Sequence, residues 1–254
     1  MSNFYRNRVC LNVLASDLEN AEACYQAAKG HVFIGVLSKN YSSVKEAVED
    51  LRQYGDSLDN AVSIGLGAGD PHQWKVVADI ARSFKPKHVN QVFTGVGYTR
   101  SALDNKTTML NGLVSPSGTP GIVCVSTGPL SAQEEPAMIP IETAIAMLKD
   151  MGAQSIKFFP MNGLETIEEY RAVARACAHA SFALEPTGGL DLTNVEELIR
   201  IALDAGVKQV IPHVYSSIID SQTNQTNVAQ VETLYQKVKA VVDTFYERAE
   251  QVES

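Results

Sequence analysis

The 254-residue sequence predicts an α/β fold, a (β/α)8 TIM barrel in a single domain spanning residues 1–254. Two observations carry the prediction. Eight short β-branched, apolar runs recur along the chain, and the stretches between them carry apolar residues at helical spacing. Alternating β and α elements imply parallel strands joined by right-handed crossovers, and eight of them close most economically into a barrel; a doubly wound open sheet is the second arrangement such a pattern allows.

In order, the runs are Val9–Leu14, Val32–Leu37, Ala61–Leu66, His88–Phe93, Gly121–Val125, Ser155–Phe158, Phe182–Leu184 and Gln209–Pro212. Seven helices are expected, over Leu18–Lys29, Ser43–Tyr54, Pro71–Phe84, Pro140–Asp150, Ile167–His179, Val195–Ala205 and Val228–Glu250. Thr166 with Glu169 and Thr193 with Glu196 have capping-box spacing, and Asp70 before Pro71 reads as an N-cap. Gly30, Gly152 and Gly206 stand where helices should stop. The fourth crossover is the irregular one: Thr94–Pro120 is punctuated by Gly, Ser, Pro and Thr, with only a weak helical pattern around Arg100–Asn105. A loop of that length at the mouth of the fourth strand reads as a lid or as an oligomer arm.

Composition narrows the function. A formal charge of −8 argues against nucleic acid or an anionic membrane as partner, since both require a basic face. No run approaches the ~20 apolar residues of a membrane span. Cys10, Cys24, Cys124 and Cys177 are scattered without a C-x-x-C pair, and three of them read as core fillers. The apolar stretch at the N-terminus breaks at Ser16-Asp17, too early for a signal peptide, so a reducing cytoplasm is the expected setting.

Against this background Lys157, in Ser155-Ile-Lys-Phe-Phe-Pro-Met161, stands out as a cation inside an apolar strand. Lowering a lysine pKa from ~10.4 to near 7 requires roughly 4.6 kcal/mol, which an apolar pocket can supply. The product is a neutral amine able to attack a carbonyl. A strand-end lysine that snorkels to solvent or pairs with a carboxylate is the plainer reading. Strand parity places Ser155 and Phe159 on the side of Lys157, and Phe159 offers an apolar wall. On the seventh strand, Glu185-Pro-Thr-Gly-Gly189 ends in a turn whose glycines let backbone N–H groups approach an anion; plain chain reversal is the alternative. Ser216 and Ser217 follow the eighth strand, and phosphate commonly sits in the loops after strands 7 and 8 of such barrels. His213 ends that strand as a rim or site histidine. Asp70 and His72 read as a cap and a surface histidine, not a metal set.

The pair Lys157-Phe-Phe-Pro160 and Pro186-Thr-Gly-Gly-Leu190 resembles the 2-keto-3-deoxy-6-phosphogluconate aldolase family, which includes 4-hydroxy-2-oxoglutarate aldolase activity. The whole chain is similar to its longer branch, linked to D-glucosaminate 6-phosphate catabolism. That resemblance implies a class I aldolase without metal or cofactor, cleaving a phosphorylated 2-keto-3-deoxy sugar acid to pyruvate and glyceraldehyde 3-phosphate. It makes Lys157 the Schiff-base lysine and Phe159 the aromatic beside it. Thr187, Gly188 and Gly189 match the carboxylate and phosphate loop, Ser216 or Ser217 lies near a phosphate contact, and a homo-oligomer, trimer or larger, is expected.

Departures from the family pattern are specific. Gly35 stands where the shorter members carry a strand-2 glutamate, Lys39 replaces an arginine, and Asp70 replaces a strand-3 threonine. Parity offers Glu185 as the replacement acid/base, since it points inward whenever Thr187 does. An ion pair of Glu185 with Lys157 or Lys39 is the non-catalytic alternative. Two other functions share the Gly-Gly cradle: a phosphate-binding barrel isomerase or epimerase with Lys157 as electrostatic anchor, and a non-catalytic sugar-acid phosphate sensor.

Overall fold

A computed structural model describes residues 2–253, and for 249, 252 and 253 the backbone alone. Strands β1 (Leu11–Leu14), β2 (Val32–Leu37), β3 (Val62–Gly65), β4 (His88–Val89) and β5 (Met109–Pro116) pair in parallel in chain order. Between them lie α1 (Leu18–Ala27), α2 (Val44–Ser57), α3 (Trp74–Phe84) and α4 (Val96–Leu103). After β5 the chain leaves the sheet as an antiparallel hairpin, β6 (Ile122–Cys124) and β7 (Met138–Pro140), then re-enters through α5 (Ile141–Asp150). Next come β8 (Ser155–Phe158), α6 (Ile167–Ala180), β9 (Ala183–Pro186), α7 (Val195–Asp204) and α8 (Val228–Glu253). β8 pairs in parallel with β5 and β9. The segment 210–213 closes the ring by bridging Leu184 and Thr187 on one side and Val9 and Asn12 on the other. The result is an α/β barrel of eight parallel staves.

Two expectations need correction. The run Gly121–Val125 is not the fifth barrel strand but half of the hairpin, and the fifth strand is Met109–Pro116. The fourth crossover is therefore not the irregular one, and Thr94–Pro120 is neither lid nor arm: it holds α4 and β5. An eighth helix thus joins the seven expected, and the excursion belongs to the fifth crossover. Both runs are short and apolar, and only partner choice separates them. Asn111, Leu113 and Val114 fit into the ring, whereas Val123 pairs in the hairpin, which is entered through a turn whose Ser117 and Gly118 N–H groups are held by Glu169 at 2.8 and 3.1 Å.

That contact also overturns one capping box, because Glu169 is occupied there and the Thr166 hydroxyl donates to the Met161 carbonyl. In the other, Thr193 bonds Asp191 and Glu196 bonds Lys237. Asp70 does cap, accepting from His72 N–H at 2.9 Å. Gly30, Gly152 and Gly206 end their helices with φ of 76°, 87° and 96°.

Helices pack on the ring through one continuous apolar core, each buried Leu, Ile or Val contributing about 1.5–3 kcal/mol. The interior of the ring is different. Asn12, Ser63, His88, Asn90, Asn111, Ser155, Glu185 and His213 are all buried there.

Candidate active site

The inner face of each stave is set by two-residue parity, and in register Lys157 is the neighbour of Glu185, so both point into the barrel. Buried polar groups must find partners, and here they find one another. Ser63 Oγ accepts from Asn12 Nδ2 at 3.0 Å and Asn90 Nδ2 at 2.9 Å. With both lone pairs used, its proton goes to His88 Nδ1 at 2.8 Å. His88 therefore carries its own proton on Nε2 and donates it to Glu185 Oε1 at 3.0 Å. Ser155 completes that oxygen. Glu185 Oε2 accepts from Asn111 Nδ2 at 2.8 Å and His213 Nε2 at 2.8 Å. Four donors saturate one carboxylate.

Burial by itself raises the pKa of Glu185, but the His88 and His213 ring N–H groups that donate to it outweigh burial and hold the group well below the ordinary range. His213 is driven down to about 3, first by burial and then by the Lys157 cation, against the pull of Glu185. It is neutral at pH 7. Its Nδ1 meets the Tyr215 hydroxyl at 2.9 Å, and that hydroxyl also lies 3.0 Å from Asn12 Oδ1. Burial raises the Tyr215 pKa, with Glu185 adding to the effect, so the phenol stays protonated.

Lys157 sits above this layer, half-buried, with Nζ donating to Asn90 Oδ1 at 3.0 Å. Asn90 is held by the Ile64 carbonyl and by Asn111, which fixes the orientation of its amide. Burial lowers the lysine pKa to about 8, with Glu185 opposing. A tenth or so of the amine is then neutral at pH 7, against roughly one part in several thousand for a free lysine.

Above Lys157 opens a cavity of about 50 Å³, lined by Leu37, Gly65–Gly69, Leu113, Phe159, Thr187 and Tyr215. The turn after β3 has φ of 79°, 52° and 74° at Gly67, Ala68 and Gly69, so its backbone curves through the left-handed region along the cavity wall. Any Cβ on Gly69 would lie 3.1 Å from Phe159. The loop after β9 is packed backbone to backbone on the loop after β8: a Cβ on Gly189 would fall 2.4 Å from Gly163 N. Gly163 N–H donates to Gly188 O, and no hydrogen bond among the described residues takes up the N–H of Gly188 or Gly189. Ser217 Oγ ties the strand-8 turn to this loop through Leu190 O at 2.7 Å, and Ser216 beside it is exposed.

The structure thus gathers Lys157, Phe159 and Thr187 in the cavity lining, whereas Gly188, Gly189, Ser216 and Ser217 lie outside that lining, in the loops that follow Thr187 and Tyr215. Lys39 is exposed, its stem crossing Gly67. Glu185 points inward as parity required, but it is wholly buried below the cavity. Its histidine partners are His88 and His213, as hydrogen-bond donors, and it pairs with neither Lys157 nor Lys39. Gly35 leaves no vacancy for the expected glutamate, since a Cβ there would meet Leu14 Cδ2 at 2.9 Å and Asn12 Oδ1 at 3.3 Å.

Sequence reasoning missed Asn12, Ser63, His88, Asn90, Asn111 and Tyr215. The available signal was polar residues at inward parity in apolar runs, as in His88-Val-Asn90. His88, Glu185 and His213 bring three potential ligand atoms within 4.8 Å of one another. Each of those atoms already shares a proton with a neighbour, so the cluster reads as a hydrogen-bonded charge network and not as a metal centre.

Comparisons agree on the architecture and narrow the family. A family model described as KDGP aldolase matches residues 5–222. A 2-dehydro-3-deoxy-phosphogluconate aldolase of Salmonella typhimurium is 47% identical over 244 residues, covering 94% of this chain and 98% of that protein. Among solved structures, one described as native KDPGal superposes with a TM-score of 0.56 at 13% identity, over 92% of this chain and 96% of the other. TrpF from Jonesia denitrificans gives 0.54 at 15% identity, over 92% and 98%. At those identities the structural matches establish the barrel alone.

Proposed function

The chain belongs to the KDGP aldolase family, and on that premise we propose a class I aldolase that cleaves 2-dehydro-3-deoxy-6-phosphogluconate to pyruvate and D-glyceraldehyde 3-phosphate. One observation carries the mechanism: a half-buried lysine of lowered pKa on the floor of a cavity walled by Phe159 and by the turn Gly65–Gly69. The Lys157 amine attacks C2 of the keto acid, and loss of water gives a protonated imine that draws in the C3–C4 electron pair when that bond breaks. The imine cation is the electron sink.

Residue roles follow from position. Thr187 and the turn Gly65–Gly69 face the C1 carboxylate, Lys39 adds positive charge at that rim, and Phe159 keeps the amine dry. The N–H groups of Gly188 and Gly189, with Ser216 and Ser217, receive the phosphate; the same cradle accepts the distal carboxylate of 4-hydroxy-2-oxoglutarate. Glu185 is reassigned as a buried counter-charge that acts through its neighbours, since all four of its acceptor positions are taken. The catalytic unit is one domain, a homo-oligomer of three or more copies, working in the cytoplasm. The deciding experiment treats the protein with pyruvate and borohydride and maps the reduced adduct by mass spectrometry. A modified Lys157 supports the reading; a modified lysine elsewhere, or none, overturns it.

A further inference from the structure

Tyr215 links the cavity wall to the buried Glu185 charge through one side chain, His213. Its hydroxyl carries a single proton and has two acceptors, His213 Nδ1 at 2.9 Å and Asn12 Oδ1 at 3.0 Å. The amide nitrogen of Asn12 is committed to Ser63, so Oδ1 is the face turned to the tyrosine. When His213 is neutral, its Nε2–H bonds Glu185 and the tyrosine proton points at Nδ1. When His213 is protonated, both ring nitrogens donate, one to Glu185 and one to Tyr215 Oη, and the tyrosine proton turns to Asn12. Both charge states are fully hydrogen-bonded. Rotation of one hydroxyl exchanges them.

We infer that Tyr215 is the proton-transfer residue of the aldol cleavage, with His213 as the store for the proton and Glu185 as its counter-charge; this rests on the Schiff-base reading above. In cleavage, the proton of the C4 hydroxyl passes to Tyr215 Oη while the tyrosine proton passes to His213 Nδ1. The O–H electron pair becomes the C4 carbonyl, the C3–C4 pair becomes the C2–C3 double bond, and the C=N pair settles on the lysine nitrogen. Glyceraldehyde 3-phosphate leaves. The steps then reverse at C3: the enamine takes the proton of Tyr215, which is refilled from His213, and the pyruvate imine is hydrolysed.

Charge is conserved within the site, because a cation appears on His213 as the iminium cation disappears. The groups facing His213 are Glu185 from β9, Lys157 from β8, His88 from β4 and Tyr215. Of these, the Lys157 cation opposes protonation and Glu185 favours it. Neutral enamine formation removes the opposing charge at the moment the proton arrives. The family position on strand 2 is unable to do this work, since it is Gly35 packed against Asn12 Oδ1.

The test follows solvent deuterium into the pyruvate methyl group by NMR, a step that needs enamine protonation but no aldehyde, beside borohydride trapping run to completion. Tyr215→Phe is expected to trap pyruvate to the wild-type extent while methyl exchange and cleavage both fall by about 10²-fold. Exchange within tenfold of wild type overturns the relay. Absence of trapping in the wild type overturns instead the Schiff-base reading beneath it. Should Tyr215→Phe fail to fold, 3,5-difluorotyrosine incorporated at position 215 keeps the shape with a more acidic hydroxyl. The pH profile of methyl exchange must then move to lower pH, and an unmoved profile refutes the assignment.

Discussion

Replacing Lys157 by methionine should change how stability depends on pH above neutrality. In the folded protein burial holds the lysine pKa at about 8, against an ordinary 10.5. Between those values the unfolded chain binds a proton that the folded chain does not, so stability rises with pH across this window. The penalty of burying the charged amine is present in full below about pH 8 and vanishes near 10.5. At 1.36 kcal/mol per pH unit the shift corresponds to about 3.4 kcal/mol. Lys157→Met cannot titrate, and the other lysines, tyrosines and cysteines cancel in a difference between the two proteins. Urea unfolding at intervals from pH 7.5 to 10.5 should therefore show the wild type gaining about 3 kcal/mol relative to Lys157→Met. The window starts above the range in which His213, relieved of the lysine charge, titrates. Trapping of pyruvate by the wild type should rise with a midpoint near pH 8. A flat stability difference, within about 1 kcal/mol, would refute the claim that burial neutralises this amine.

Three further outcomes are expected. Glu185→Gln puts an NH2 group among four converging donors and removes the partner of two histidines, at a cost of about 3–5 kcal/mol in urea unfolding. Because Glu185 raises the Lys157 pKa, the trapping midpoint of that variant should move to lower pH, and an upward move contradicts the electrostatics. Gly189→Ala drives a Cβ to 2.4 Å from Gly163 N at a φ of 71°, so steady-state kinetics should show a raised KM for the phosphorylated substrate with pyruvate trapping intact; an unchanged KM removes the phosphate cradle. Gly35→Glu, which puts a carboxylate on the second strand, should lower stability by about 2–4 kcal/mol and leave cleavage no faster, since its Cβ meets Leu14 and Asn12. A stable and faster Gly35→Glu would show that the site has room for that acid.

Lys157, Glu185 and Thr187 were legible as inward-facing because strand parity is a local property of the backbone, and Gly188-Gly189 because a positive φ selects glycine. The fifth strand was not legible. Met109–Pro116 and Ile122–Cys124 are both short extended runs, and whether a run joins the ring or folds back as a hairpin depends on partners far along the chain. The capping boxes failed for a related reason: Glu169 found two N–H groups of a distant turn, a contact no four-residue pattern records.

The role of Glu185 shows the same division. Sequence determined that a carboxylate faces inward beside a lysine strand. It did not determine which groups that carboxylate would meet. Asn111, Ser155, His88 and His213 come from four other staves and reach one oxygen pair only when the ring closes, so the donors that saturate Glu185 are separated by 28 to 97 residues. The alternation of apolar runs with helical spacing determined the barrel, the inward set and the glycine turns, because these arise from the chain's own local geometry. Closure of the ring decided that Glu185 would be a saturated counter-charge below the floor, and that Tyr215 would stand at the cavity, because hydrogen-bond partnership in a barrel interior is fixed across staves and not along them.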